Sequence, residues 1–130
     1  MIKFAYTILY VRNVELSIQF YEAAFGFSRK FIAPDFQYAE LITGETTLSF
    51  ASLELAKSNL PDGFNESSNS NKPCAIEVAF STVDVEETVA TAVKAGATLL
   101  AKPKTKPWGQ TVAYVRDPDG FLVEICTPMS

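Results

Sequence analysis

The 130-residue sequence contains no histidine, so it offers no imidazole to a transition metal and no side chain with an ordinary pKa near neutrality. Cysteine is also scarce. Cys74 and Cys126 share no metal-type spacing, and two cysteines are too few for a disulfide framework. These two scarcities argue against a standard transition-metal enzyme and against nucleophilic chemistry that depends on a histidine base.

Long apolar runs and concentrated positive charge are missing as well. No stretch approaches the ~20 apolar residues that a membrane span requires, and residues 1–11 lack the pattern of a signal peptide. The formal net charge is −4, and the only basic cluster, at Lys102, Lys104 and Lys106, lies in a proline-interrupted segment that we expect to be a loop. Since phosphate binding needs a basic face, we expect a cytoplasmic protein with neither nucleic-acid nor membrane partners.

The composition is that of a globular protein with a substantial core, because 48% of the residues are hydrophobic and 20% are charged. Two segments have helical spacing of apolar residues, Val14–Phe25 and Val85–Ala95. Asn13 and Asp84 precede them as candidate N-caps, and a glycine follows each helix. Dense β-branched and aromatic residues predict strands at 4–11, 27–32, 36–42, 46–52, 75–82, 97–101, 111–116 and 121–126.

The order of these elements repeats. Tyr6 precedes Glu77 by 71 residues (77 − 6), and the same offset relates Val14 to Val85. The repeat predicts an α+β fold in which paired βαβββ modules form a curved mixed-sheet trough. We expect one domain over residues 1–130, with modules at about 1–56 and 74–130. The polar stretch 57–73 would join them as a linker that lies over the surface or contributes to a lid.

Strand alternation predicts which side chains face the trough, since neighbouring residues of a strand point to opposite sides of its sheet. By this rule Leu48 and Phe50 pack beneath a helix, whereas Ser49 faces the trough. Glu77 and Glu124 face it in the second module.

Several motifs at this spacing resemble one known family. They are residues 11–14 (VRNV), 17–21 (SIQFY), 26–27 (GF) and 117–124 (DPDGFLVE). With the repeat, they resemble the vicinal oxygen chelate superfamily, which includes glyoxalases, bleomycin resistance proteins and extradiol dioxygenases. The resemblance implies the glyoxalase/bleomycin-resistance fold and a homodimer that binds a small molecule. It does not fix the reaction, because this fold hosts lyases, isomerases, dioxygenases and plain binders.

The resemblance also implies where a metal would bind. Metal-dependent members commonly carry His, Glu, His and Glu on equivalent strands, and these positions fall on Tyr6, near Ser49, on Glu77 and on Glu124. Only Glu124 retains the family residue. We therefore expect no cofactor. If a metal binds, we expect a weakly held divalent ion on Glu124, Glu77 and Tyr6.

The pattern is closer to the metal-free, bleomycin-resistance-like branch, which it resembles at residues 26–29 (GFSR), near Phe36 and at 107–109 (PWG). That resemblance implies capture of a small aromatic or cationic molecule in an acidic trough. The predicted ligand-binding residues are Tyr6, Phe36, Tyr38, Ser49 and Trp108, and Glu77 and Glu124 would supply the charge. The alternative is a glyoxalase-type lyase or isomerase in which Glu124 and Glu77 are catalytic, with or without a divalent metal. Whether the protein is an enzyme stays open.

Overall fold

The computed structural model describes residues 1–129. Two four-stranded mixed sheets and three α-helices confirm the predicted α+β class and the paired βαβββ modules. Contacts divide the chain into two units. The first contains Met1–Glu22 and Gly26–Glu66, and the second contains Ala23–Phe25 and the chain from Ser67 onward. Among the described residues, no helix is both long and apolar enough to cross a membrane.

The first sheet consists of four strands in the order β1-β4-β3-β2. Their bounds are β1 Tyr6–Val11, β2 Ser28–Ile32, β3 Tyr38–Ile42 and β4 Thr47–Ser52. The central pair, β1 and β4, is parallel, and the other pairs are antiparallel. Helix α1, Val14–Phe25, packs on β4 through Tyr21 and Phe50, whose ring centroids are 5.1 Å apart. Both rings are fully buried, so this contact lies in the core of the first unit.

The second sheet has the equivalent order, β5-β8-β7-β6. Its strands are β5 Glu77–Ser81, β6 Thr98–Thr105, β7 Thr111–Arg116 and β8 Leu122–Cys126, and helix α3 spans Val85–Ala95. The helix contacts β6, β7 and β8. Val85, Val89 and Ala92 of α3 are buried, as are Val123 and Ile125 of β8. The face of the second sheet that carries Val123 and Ile125 therefore packs against α3 to form the core of this unit.

Local capping explains why the two long helices begin where the sequence predicts. The Asn13 side chain accepts a hydrogen bond from the Leu16 N–H at 3.0 Å, and Asp84 accepts one from the Glu87 N–H at 3.0 Å. Each side chain satisfies a backbone donor that has no partner inside its helix. Gly26 ends α1 in the left-handed conformation, with φ 73°.

Two segments differ from the sequence prediction. Helix α2, Leu53–Asn59, follows β4 directly and occupies the start of the predicted linker, because Ser52 caps it by accepting from the Leu55 N–H at 3.0 Å. Strand β6 continues to Thr105, through the segment predicted as a loop. Pro103 is tolerated there because the register shifts between Ala101 and Lys104, and β6 is an edge strand.

The remainder of the polar stretch 57–73 is held in place by Arg116. Its guanidinium donates to the Ser67 carbonyl at 3.1 Å and to the Ser70 carbonyl at 2.9 Å, while its Nε donates to the Gly120 carbonyl at 2.9 Å. Ser67 begins a short 3₁₀ turn, Ser67–Asn69, and is buried. This part of the predicted linker is therefore packed against the turn that joins β7 to β8. The predicted module bounds, about 1–56 and 74–130, stay a prediction.

Candidate functional site

Strand register shows which positions of the two sheets are equivalent. Ile8 of β1 pairs with Ser49 of β4, and Ala79 of β5 pairs with Glu124 of β8. Ile8 and Ala79 are separated by the repeat offset of 71 residues (79 − 8). Ser49 and Glu124 therefore occupy equivalent places in their sheets, although one is a hydroxyl and the other a carboxylate.

A pair of carboxylates lies on one face of the second sheet. Glu77 pairs with Leu122 of β8, so its side chain lies on the same face as Glu124, two residues farther along. Burial, followed by the hydrogen bond and the negative charge of Glu124, raises the pKa of Glu77. The two carboxyl groups are thus neighbours on this face, and the charge of Glu124 disfavours ionisation of Glu77.

Tyr114 completes this acid pair and was not predicted from the sequence. It lies opposite Glu124 in the β7–β8 hairpin and donates its phenolic proton to Glu124 Oε1 at 3.0 Å. This hydrogen bond, followed by burial, raises the pKa of Tyr114 to about 12. Symmetric counting outward from the turn at Asp117-Pro118-Asp119-Gly120 would place Tyr114 opposite Val123. The pair with Glu124 arises because the turn also includes Phe121, whose carbonyl accepts from the Asp117 N–H at 2.9 Å, so the sequence alone did not indicate it.

Trp108 lies in the β6–β7 turn of the same sheet and is held there by Gln110. The indole Nε1–H donates to Gln110 Oε1 at 2.9 Å, and the indole ring is 62% exposed. Burial, followed by the hydrogen bond and charge of Glu124, raises the pKa of the Cys126 thiol, while a hydrogen bond from Gln110 lowers it. The Cys126 Sγ itself lies 3.7 Å from the Phe80 carbonyl oxygen. The second sheet therefore places Glu77 and Glu124 on one face, and Gln110 holds Trp108 in the β6–β7 turn of the same sheet.

The first sheet carries a different polar cluster at the equivalent level. The Tyr38 hydroxyl donates to Glu40 Oε2 at 2.7 Å and lies 3.1 Å from Ser49 Oγ. Ser49 is fully buried and Glu40 is 8% exposed. Lys30 Nζ lies 3.6 Å from Glu40 Oε1 and compensates its charge. Burial is the main cause that raises the pKa of Tyr38 to about 12; the Ser49 hydrogen bond opposes it, and Glu40 adds to it.

Glu40 is a second residue that sequence reasoning missed. It lies directly opposite Ser49 in the β3–β4 pair, and alternation along β3 puts it on the same face as Tyr38. In the second sheet the equivalent pairing is Tyr114 with Glu124. The carboxylate of this cross-strand pair thus lies on β3 in the first sheet and on β8 in the second.

The other two predicted site residues have different surroundings. Tyr6 is 53% exposed, and its phenol contributes slightly to the raised pKa of Tyr38. Phe36 lines another part of the first unit, a cleft of about 390 Å³ whose walls include Arg12 and Lys57 but neither Tyr38 nor Ser49. Its backbone φ is 59° and its side chain is 58% exposed. The structure therefore does not group Phe36 with the Tyr38–Ser49 cluster.

The donor set of each sheet is a poor match for the metal that the family resemblance implies. Within residues 1–129, no three His, Cys, Asp or Glu side chains gather at a spacing that could hold an ion. The second sheet offers the two carboxylates Glu77 and Glu124, and one of them already accepts the Tyr114 proton. These oxygens do not reproduce the imidazole-and-carboxylate set that Ni²⁺, Zn²⁺ or Fe²⁺ prefers.

Comparison with known proteins gives a single family. A family model described as Glyoxalase/Bleomycin resistance protein/Dioxygenase superfamily matches residues 3–125. No curated protein matches the sequence.

Solved structures with the same architecture include a glyoxalase-related enzyme from Fulvimarina pelagi, with a TM-score of 0.82 and 23% identity over 98% of this chain and 89% of that one. A glyoxalase/bleomycin resistance protein/dioxygenase family enzyme from Burkholderia phytofirmans PsJN has a TM-score of 0.82 and 21% identity, covering 98% and 100% of the two chains. A superfamily member from Sphaerobacter thermophilus has a TM-score of 0.72 and 21% identity, covering 98% of each chain. At these identities the similarity shows the fold alone.

Proposed function

Because the chain belongs to the Glyoxalase/Bleomycin resistance protein/Dioxygenase superfamily, we propose that it binds a small aromatic cation without a transition metal, as a sequestering protein does. The ligand would lie on the face of the second sheet that carries Glu77 and Glu124. One observation carries the proposal: the carboxylates Glu77 and Glu124 lie on one face of the second sheet, and the largely exposed Trp108 lies in the β6–β7 turn of the same sheet, hydrogen-bonded to Gln110.

The charge of the ligand follows from the acid pair. Burial, followed by the neighbouring Glu124, raises the pKa of Glu77 above that of an isolated glutamate. A cation placed between the two carboxylates would relieve their repulsion and favour ionisation of both. An anion would add to that repulsion. The acid pair therefore favours a ligand with a positive charge.

The aromatic character of the ligand follows from Trp108. Tryptophan is enriched among the residues that dominate binding free energies, and indole is the best aromatic partner for a cation. Cation–π and stacking contacts contribute about 0.5–2 kcal/mol each. Together with a charged hydrogen bond of about 1.5–3 kcal/mol, a few such contacts are consistent with micromolar binding.

The absence of histidine supports a site that works without a transition metal. Glu77 and Glu124 would contact the ligand directly, and Tyr114 would hold the Glu124 carboxylate in place through the 3.0 Å hydrogen bond. We also propose the homodimer that the family resemblance implies, and the mass of the protein in analytical ultracentrifugation tests it.

Titration calorimetry with two flat probes of similar shape tests the charge argument. At pH 7, 9-aminoacridine is a cation and acridine is neutral. We expect Glu124→Gln to weaken 9-aminoacridine binding by about 1–2 kcal/mol, roughly five- to thirtyfold, and to change acridine binding much less. Glu45→Gln, in an exposed turn, is the matched control. Equal weakening of both probes by Glu124→Gln would rule out a role for charge.

The raised pKa of Glu77 favours one second candidate function. A carboxylate whose pKa is raised above its ordinary value is better suited to general acid–base catalysis, so Glu77 and Glu124 could move a proton at an acidic carbon–hydrogen bond in a lyase or isomerase of glyoxalase type. Incubation of α-ketoaldehyde–thiol adducts with the protein in D₂O tests this alternative. Deuterium incorporation that Glu77→Gln and Glu124→Gln both abolish would favour it over sequestration, and exchange at the buffer rate would reject it.

A further inference from the structure

We propose that Gln110 is a positioning residue that fixes the plane of the Trp108 indole, so that the site selects aromatic cations that stack on this ring. The inference rests on the proposed function, since it names what orients the aromatic wall of that site. It concerns a residue outside the acid pair and outside the set that the family resemblance implies.

The two hydrogen bonds of Gln110 leave its amide only one orientation. Its Oε1 accepts from the Trp108 indole N–H at 2.9 Å, and its Nε2 donates to the Thr127 carbonyl at 2.9 Å. Indole is a donor only and a carbonyl is an acceptor only, so a flipped amide would lose both bonds. The end of the Gln110 side chain is therefore a fixed acceptor for the indole.

The backbone to which Gln110 is attached is itself well tied. The Thr111 N–H donates to Thr127 Oγ1 at 3.0 Å, and the Thr127 N–H donates to the Thr111 carbonyl at 2.9 Å. The Lys106 N–H donates to the Gln110 carbonyl at 2.8 Å, closing the β6–β7 hairpin. The indole is thus anchored through Gln110 to two strands, although the ring is largely exposed.

Such an anchor matters because an exposed side chain otherwise samples several rotamers. Ordering a side chain on binding costs free energy, and a ring that is already held in its binding orientation avoids much of that cost. Gln110 directly precedes β7, the strand that pairs with β8 and its Glu124. The residue that orients the ring therefore belongs to the same sheet as the acid pair, and a ligand that contacts both would combine stacking with charge contacts.

A double-mutant cycle separates this role from a purely structural one. The variants are Gln110→Met, Trp108→Phe and the combination, and the probe is 9-aminoacridine in titration calorimetry. Trp108→Phe keeps a stacking ring but removes the N–H that Gln110 accepts. We expect Gln110→Met to weaken binding about three- to thirtyfold in the wild-type background, within the range of a cation–π contact, and to have little effect in the Trp108→Phe background. Equal weakening in both backgrounds, or no weakening in either, would overturn the inference.

Fluorescence gives a test that does not depend on the ligand, because Trp108 is the only tryptophan. Gln110→Met is expected to lower its anisotropy and to increase its quenching by acrylamide. Gln19→Met, on the exposed face of α1, is the control and should change neither. If the wild-type protein bound no 9-aminoacridine, the proposed function would be rejected. The anisotropy and quenching of Trp108 would still show whether Gln110 orients the indole. Unchanged anisotropy in Gln110→Met would refute that role.

Discussion

The Tyr38 hydroxyl is the central hydrogen-bonding group of the first sheet's polar cluster, and Tyr38→Phe removes it without removing the ring. The hydroxyl donates to Glu40 at 2.7 Å and lies 3.1 Å from Ser49. Glu40 is 8% exposed and Ser49 is fully buried, so water cannot readily replace the lost partner. The ring contact between Tyr38 and Phe31, with centroids 6.0 Å apart, is retained in the variant.

The expected loss of stability at pH 7 is about 2 kcal/mol, since hydrogen bonds to charged groups contribute roughly 1.5–3 kcal/mol. For a chain of this length that corresponds to a Tm lowered by about 6–10 °C. The difference should depend on pH. The pKa of Tyr38 is raised from 10.0 to about 12, with burial as the largest cause. The stability that the protonated Tyr38 hydroxyl adds to the folded state is therefore complete below pH 10. It is lost as pH rises through 12, by at most about 3 kcal/mol.

Urea unfolding of wild type and Tyr38→Phe between pH 7 and pH 12 measures both effects. The stability gap should stay constant up to pH 10 and then close. Tyr6→Phe, whose ring is 53% exposed, is the control and should lie within about 0.5 kcal/mol of wild type at pH 7. A Tyr38→Phe variant as stable as wild type at pH 7, or a gap that persists unchanged to pH 12, would refute the proposed cluster.

Two further predictions concern the second unit. Glu77→Gln should gain stability relative to wild type as pH rises. Because the pKa of Glu77 is raised in the folded state, the stability that its protonated form adds to the wild type is complete below the reference pKa of 4.5 and is lost above it. A difference in urea midpoint between the variant and wild type that is the same at pH 4 and at pH 8 would contradict this. Gly120→Ala should lose about 2–4 kcal/mol, because Gly120 has φ 94° and an added Cβ would lie 2.3 Å from the Ser67 carbonyl oxygen. Gly44→Ala is the comparison: with φ 109° and open space around it, Gly44 should lose only about 1–2 kcal/mol of unfolding free energy on substitution, measured by thermal unfolding. Equal losses in Gly120→Ala and Gly44→Ala would contradict the close approach of Gly120 to Ser67.

Features specified by neighbouring residues were predictable from the sequence. Asn13 and Asp84 cap helices whose bounds agree with the structure, because a cap acts on donors only three residues away. Helix α2 was missed even though Ser52 is also a good cap. Ser52 is also the last residue of β4, so the apolar pattern of this strand runs directly into the helix and no loop residues mark where α2 begins.

The candidate site was predictable only in part, since its contacts join residues on different strands. Alternation along β5 and β8 correctly placed Glu77 and Glu124 on one face. Tyr114 and Glu40 became visible only through the register of the antiparallel pairs, which depends on where each turn lies. Gln110 could not have been identified, because no local pattern indicates that an amide will accept from the indole two residues before it.

The proposal that an acid pair and Trp108 bind an aromatic cation without a metal is tested most directly by one titration. Chelator-dialysed protein is titrated with 9-aminoacridine at pH 5 and pH 8, and binding is followed by the fluorescence of Trp108, the only tryptophan. We predict saturable quenching that is tighter at pH 8, because the raised pKa of Glu77 leaves more of it protonated, and so less attractive to a cation, at pH 5. Absence of saturable quenching, or quenching that appears only after a divalent metal is added, would contradict the proposal.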